Sequence, residues 1–450
     1  MEVPRGEEVS NHLVSRAVQI RSPPPRETLR AASHPRLLWD APGESTVVGG
    51  GVAAALDAPG GTDRFDAVRA GANSLLDSGD VHAGTEAACP RLFGGFAFHD
   101  DGCTRDPWLD FPAARFVLPR VQVTYTDERG TWLTVNAVGE DATAAAVESR
   151  LADERERLAS VEASTAESAP PGIESRERTT SKAEWRESVE AALSRIEGGS
   201  LNKVVLAQAL SATLASDLSM PDVLARLDDK YPDCYRFLVE PETDGTVPPA
   251  FFGVTPELLV SRRGRTVNTD ALAGTTGRGD TPAEDEWLAE ELLGDAKNVH
   301  EHELVAETVR EQLSPFAESV GVGEMRVKRL ANVQHLYSPI STTLREDAHV
   351  LDLVEALHPT PAVGGLPPDA ALDTIRDTEP FDRGWYAAPV GWFDAAGNGT
   401  FAVAIRSAVA AGREATLFAG VGIVADSDPD REWDEVQLKY RPILDELEEP

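Results

Sequence analysis

The chain has 450 residues, 41% of them apolar, and a formal net charge of −34. That length and apolar content suffice for a large core or two subdomains. The charge argues against nucleic acid and anionic membrane surfaces as partners, and no run of about twenty apolar residues is present to span a bilayer.

The acidic residues are spread along the whole chain. There are only six lysines (Lys182, Lys203, Lys230, Lys297, Lys328 and Lys439), and arginine supplies the other positive charges. Dispersed acid with scarce lysine fits adaptation to high intracellular salt, where screening weakens self-repulsion. Cys89, Cys103 and Cys234 form no CxxC pair; they suit a reducing compartment and do not support a zinc site. Residues 1–25 are polar and lack the apolar segment of a secretory signal, so a cytoplasmic location is expected.

In chain order, residues 1–30 read as a polar extension and 31–160 as a mixed αβ half. Arg115-Phe-Val-Leu118 and Val121-Gln-Val-Thr-Tyr125 have strand character, and Gly94-Gly-Phe-Ala-Phe98 suggests a strand with close backbone approach. Residues 139–160 form an acidic, Ala-rich helix. Residues 161–181 have linker composition, and a second unit, 182–450, follows. It opens with a helix over 183–196, stopped by Gly198-Gly199, and a strand over 201–207. Strands predominate after that, joined by connections too short for βαβ crossovers. The expected class is α+β with antiparallel sheet.

Several residues could carry chemistry. Lys203 shares a strand face with Val205 and Ala207, while Val204 and Leu206 occupy the other. Such a lysine is either partly desolvated, which disfavours the ammonium and makes a usable base, or packed by its stem with its head in water. Glu257, between Phe251-Phe-Gly-Val254 and Leu258-Leu-Val260, is either an acid with a raised pKa or a loop-end surface carboxylate. Glu301 precedes Leu304 and Val305 by three and four residues and shares their inward helix face, where a metal ion would neutralise it. His300 and His302 flank it but diverge by about 200° on a helix, which rejects a zinc pair. The terminal helix, 430–448, holds Glu432, Glu435 and Lys439. The last two form either a surface ion pair or a metal-binding carboxylate beside a substrate-binding ammonium. In a strand over 400–406, Ala402, Ala404 and Arg406 share a face with room for a carboxylate ligand, and Ala419-Gly-Val-Gly-Ile423 follows. Leu272-Ala-Gly-Thr-Thr-Gly-Arg-Gly279 is glycine-rich but is no P-loop. Taken singly, each feature is also compatible with an acidic protein that catalyses nothing.

As an ordered series, they resemble the chorismate-utilising family of isochorismate, salicylate, anthranilate and aminodeoxychorismate synthases. The resemblance covers 183–447. It rests on Lys203-Val-Val-Leu-Ala207, Thr255-Pro-Glu-Leu-Leu259, Leu272-Ala-Gly-Thr275, Glu301-His302 with Val305, and Val333-Gln-His-Leu336. It continues through His358-Pro-Thr-Pro-Ala362, Tyr386 with Pro389-Val-Gly-Trp392, Ala404-Ile-Arg406, Gly420-Val-Gly-Ile-Val424, and Glu432-Trp-Asp-Glu435 with Lys439. The resemblance implies two facing antiparallel sheets with helices outside. It also implies Lys203 as the base that activates water, and Glu257 as the acid on the opposite side of the ring. Glu301 and Glu435 would bind Mg²⁺, with Glu432 contributing through water. Tyr386, Arg406 and the Gly420 amide would hold the enolpyruvyl carboxylate, and Lys439 would face the ring carboxylate. Gly274, Thr275, His335 and His358 would belong to the pocket. Within the family, Lys203 resembles the water-using members, and Ala273 cannot serve as the nucleophilic lysine that one type of aminodeoxychorismate synthase carries there. The expectation is therefore isomerisation of chorismate to isochorismate, feeding menaquinone synthesis, by a monomer without a glutaminase partner. Salicylate synthesis, which adds pyruvate elimination, is the nearest alternative; an anthranilate or aminodeoxychorismate synthase component is the next. Gln208 and Ala388 depart from the family pattern, which has Arg and Gly there, and Ala388 is expected to narrow the pocket near Tyr386.

Overall fold

The computed structural model describes residues 12–448 apart from 62, 78, 128, 141, 164–168 and 244–247. Its strands pair antiparallel, with one parallel pairing among the described residues, Leu13–Ile20 beside Asp80–His82. One sheet runs, neighbour to neighbour, through Ile173–Arg178, Lys203–Leu214, Glu414–Ile423, Ser407–Ala411, Ala250–Thr255, Tyr235–Val239 and Arg36–Asp40. The other runs through Val333–Leu344, Thr266–Gly277, Leu258–Arg263, Gly399–Val403, Pro389–Phe393 and Leu92–Phe96. The long strands Thr46–Ala58 and Ala114–Thr126 pair with each other. The first also bonds Arg36–Asp40 and the second Leu92–Phe96, so the two sheets join into one network. This is the expected α+β architecture of facing antiparallel sheets with helices outside.

Local chemistry places the helices. Ser181 and Glu184 form a capping box at the start of Lys182–Glu197. Gly198 caps that helix, and Gly199 turns the chain away at φ +74°. Two helices, Pro282–Gly294 and Ala296–Leu313, occupy the amphipathic stretch around Glu301, and the Asp295 side chain accepts from the Asn298 amide at the second start. Pro429–Leu444 is the terminal helix, capped by Asp428, which accepts from the Asp430 and Arg431 amides. At Gly94 a Cβ would overlap the Arg115 carbonyl, so the predicted close approach is real.

Two expectations need correction. Residues 13–20 and 25–31 are not a loose extension: they form an integral strand and a helix, while residues 1–11 lie outside the described part. Charge hid the strand pattern, because Arg16 is buried against Asp80 at 2.6 Å while Leu13 and Val14 enter the core. Likewise Ile173–Arg178, in the expected linker, pairs along the edge of Lys203–Leu214. Edge pairing needs only main-chain groups, which composition does not report.

The chain passes from one sheet to the other at two adjacent places. Pro256-Glu257 links Ala250–Thr255 to Leu258–Arg263, and Ala404-Ile405-Arg406 links Gly399–Val403 to Ser407–Ala411. The crossings are laced together. Val403 N donates to Glu257 O and Val254 N donates to Arg406 O, each at 3.1 Å, while Thr255 Oγ1 donates to Val403 O at 2.7 Å. The single strand expected over 400–406 therefore ends at Val403. Arg406 takes φ +51°, which a continuing strand does not allow.

Candidate active site

Twelve of the thirteen residues singled out line one cavity where these crossings meet the strands Lys203–Leu214, Thr266–Gly277 and Glu414–Ile423 and the helices beginning at Ala296 and Pro429. The thirteenth, His358, lies elsewhere. Its Nε2 donates to the Phe98 carbonyl at 3.0 Å and its ring meets Phe98 edge-on. Burial, with Arg64 nearby, pushes the His358 imidazole down to about 3, as befits a neutral packing residue.

Lys203 opens its strand fully buried, at 1% exposure, and shares the cavity wall with Val205. Its Nζ lies 2.7 Å from Glu301 Oε1. Burial pushes the Glu301 carboxyl up, but the Lys203 charge and hydrogen bond outweigh it and hold it below the ordinary value. Glu257 lines the same cavity and is also buried. Desolvation, opposed by Lys203, pushes its carboxyl up to about 7, so it keeps a proton to near neutral pH. Lys328 donates to the adjoining Pro256 carbonyl at 2.8 Å.

Gly274 sits at a bulge in Thr266–Gly277 with φ +76°, which brings Thr275 opposite His335 on Val333–Leu344. Thr275 Oγ1 is 3.0 Å from His335 Nδ1, and Arg406 Nη2 donates to His335 Nε2 at 3.3 Å. Burial, Arg406 and Lys439 push the imidazole well down, so it is neutral. Nε2 then accepts from Arg406 and Nδ1–H donates to Thr275. Tyr386 stacks on Phe418 with centroids 5.3 Å apart; a Cβ at Gly420 would lie 3.2 Å from its hydroxyl. The wall near Tyr386 is formed by Ala387 at φ +60°, whereas Ala388 is not among the lining residues and narrows nothing there.

Apart from Glu257, three carboxylates face this space, each beside a lysine. Besides Lys203 and Glu301, Lys439 Nζ is 2.8 Å from Glu435 and donates to Gly420 O at 3.0 Å, and Lys297 Nζ is 3.7 Å from Glu432. Burial and the neighbouring Glu435 charge push the Glu432 carboxyl up. Hard oxygen donors gathered on one cavity wall are of the type that Mg²⁺ takes. As the side chains stand, each donor is paired with a lysine, and the described residues contain no ready cluster of three metal-ligating groups. His302 turns inward to Ser338 at 2.8 Å and His300 is exposed, so they make no zinc pair.

Lys297, Asn298, Val363, Ile405 and Gly422 also line the cavity but were missed from sequence. Lys297 carried a usable signal: it is one of the six lysines and stands four residues before Glu301. Gly422 alternates with Gly420 on one strand face.

The family described as chorismate binding enzyme matches residues 4–448. An isochorismate synthase, MenF, of Bacillus subtilis is 38% identical over 374 residues, 80% of this chain and 75% of that protein. A salicylate biosynthesis isochorismate synthase of Pseudomonas aeruginosa is 39% identical over 361 residues, 80% and 74% of the two chains. The solved structure of MenF, the menaquinone-specific isochorismate synthase from Escherichia coli, superposes with a TM-score of 0.80 at 27% identity, covering 98% of this chain and 97% of that one.

Proposed function

The chain belongs to the chorismate-binding enzyme family, and from that membership we propose how its cavity turns chorismate into isochorismate. It is an isochorismate synthase. Water adds to the ring and one hydroxyl departs as water, so the atoms balance as an isomerisation. We assign the proton abstraction to Lys203 and the protonation of the departing hydroxyl to Glu257. The observation that carries this reading is a buried lysine sharing one cavity with a carboxyl that keeps its proton to near neutral pH. Ala273 lines the same cavity and offers no nucleophile, which supports water over an enzyme-bound amine.

Glu301 and Glu435 would hold Mg²⁺, with Glu432 acting through water; the ion would supply positive charge to the ring carboxylate. Arg406, fixed by His335, would grip the enolpyruvyl carboxylate with Tyr386 and the Gly420 amide. Lys439 would answer the ring carboxylate, and Gly274 and Thr275 would shape the opposite wall.

The product serves menaquinone synthesis in this reading, in line with the menaquinone-specific neighbour. Among the described residues no helix is long and apolar enough to cross a membrane. We take the enzyme to be a cytoplasmic, salt-adapted monomer without a glutaminase subunit. The test is to incubate it with chorismate and Mg²⁺ in high salt and resolve the products. Isochorismate alone is expected; salicylate with pyruvate, or an aminated product when ammonium is supplied, would overturn the reading.

A further inference from the structure

The strand that carries Lys203 has an incomplete outer edge. Glu414–Ile423 pairs along its inner side. On the outer side, Gly365–Leu366 reaches only Lys203 and Val204, and Ile173–Arg178 begins its pairing at Leu210. Between them a buried ion pair takes the place of a strand. Glu379 Oε1 accepts from the Ala207 amide at 2.8 Å, and Arg383 Nη2 donates to the Val205 carbonyl at 2.8 Å. The two side chains bond each other at 2.6 Å and are 4% and 1% exposed. Arg383 Nη1 also donates to the Val363 carbonyl at 2.8 Å, and the Arg383 carbonyl accepts from the Tyr386 amide at 2.8 Å.

The Arg383 guanidinium thus ties the Lys203 strand to the Val363 segment, and the carbonyl of the same residue holds the turn that presents Tyr386. Val205, Val363 and Tyr386 all line the cavity. We propose that the Glu379–Arg383 pair is the positioning device for the base, substituting for a missing length of strand so that Lys203 and Tyr386 keep their spacing. Neither residue lines the cavity, so both act through the walls they hold. The inference rests on the reading of Lys203 as the base.

The physical reason is rigidity. A backbone edge with unpaired donors and acceptors, buried away from water, must find partners. Two opposite charges with a planar fork supply one acceptor and one donor to this edge and a second donor to the Val363 carbonyl, at fixed angles that a lysine cannot reproduce.

The test compares Arg383→Lys, Glu379→Gln and Lys203→Met, each measured as turnover per folded molecule by circular dichroism and chorismate saturation. Glu379→Gln keeps an acceptor for Ala207 but loses the charge; Arg383→Lys keeps the charge but loses the fork. For both, kcat should fall about tenfold or more with the KM for chorismate within about threefold, because displaced groups lose reactivity before binding. A purely structural pair would lower the folded fraction and leave kcat per folded molecule unchanged, which would overturn the proposal. If Arg383→Lys does not fold, Glu379→Gln decides. An inactive Lys203→Met beside variants of unchanged kcat would sink the positioning role alone. An active Lys203→Met would sink the base reading and this inference with it.

Discussion

Lys203 Nζ and Glu301 Oε1 are 2.7 Å apart inside the cavity, with side-chain exposures of 2% and 13%. The proposed base and a proposed metal ligand are therefore partners in one buried ion pair. Lys203→Met should abolish isochorismate formation. It should also leave Glu301 without its partner, costing about 3–5 kcal/mol, as broken buried pairs do. Lys203→Met/Glu301→Gln should recover much of that stability without activity, as read by urea melts of the two variants. Equal stability of the single and double variants would contradict the pairing.

Glu257 links activity and stability to pH with a definite sign. Its carboxyl is raised to about 7 in the folded state, above the ordinary carboxyl range. The folded chain therefore holds a proton that the unfolded chain releases. This contribution to stability is complete below the unfolded pKa and is lost as pH rises to about 7. Glu257→Gln should be inactive. In thermal melts it should match wild type in acid and become increasingly more stable than wild type towards pH 7, then hold a constant advantage. In the active enzyme, kcat/KM should decline above about pH 7 as the acid loses its proton.

Gly422 leaves the space that the base occupies. A Cβ there would stand 2.9 Å from both Lys203 Cε and Glu301 Oε1. Gly422→Ala should keep the fold and lose up to about a hundredfold in kcat, the scale of a misplacement near 1 Å. Wild-type turnover by this variant would show that the Lys203 head has other room.

Magnesium dependence should track the three carboxylates unequally. Chelation should stop turnover. Glu435→Gln should raise the Mg²⁺ concentration for half-activity by at least about tenfold, with Glu432→Gln having the smaller effect of an outer contact. Titrating Mg²⁺ at saturating chorismate measures both.

Salt should stabilise the protein. With a net charge of −34, added potassium chloride screens self-repulsion, so the melting temperature should rise from 0.1 M towards 2 M salt, by amounts differential scanning fluorimetry resolves easily. A flat or falling curve would contradict the high-salt reading.

Much of this was legible in one sequence. Paired glycines marked the end of the helix over 183–196 and apolar periodicity marked the helix around Glu301, because those signals are local. Ordered motifs brought out Glu257, Arg406, Thr275 and His335 although they are distant in the chain. The strand Leu13–Ile20 was not legible, because its charges are answered by Asp80, more than sixty residues away. His358 was placed in the pocket by its position in a motif, but the ring turns to the Phe98 carbonyl instead. A motif orders residues along the chain and says nothing about which way each side chain turns.

By itself, the sequence determined the α+β class, the family and the identity of the chemical groups, since these depend on residue type and order. Tertiary structure alone decided the rest: that two adjacent crossings between the sheets deliver Glu257 and Arg406 to one place, that three lysines meet three carboxylates there, and that an ion pair completes the edge of the Lys203 strand. Burial, charge partners and strand edges are properties of what comes together from far apart, and no window of the chain contains them.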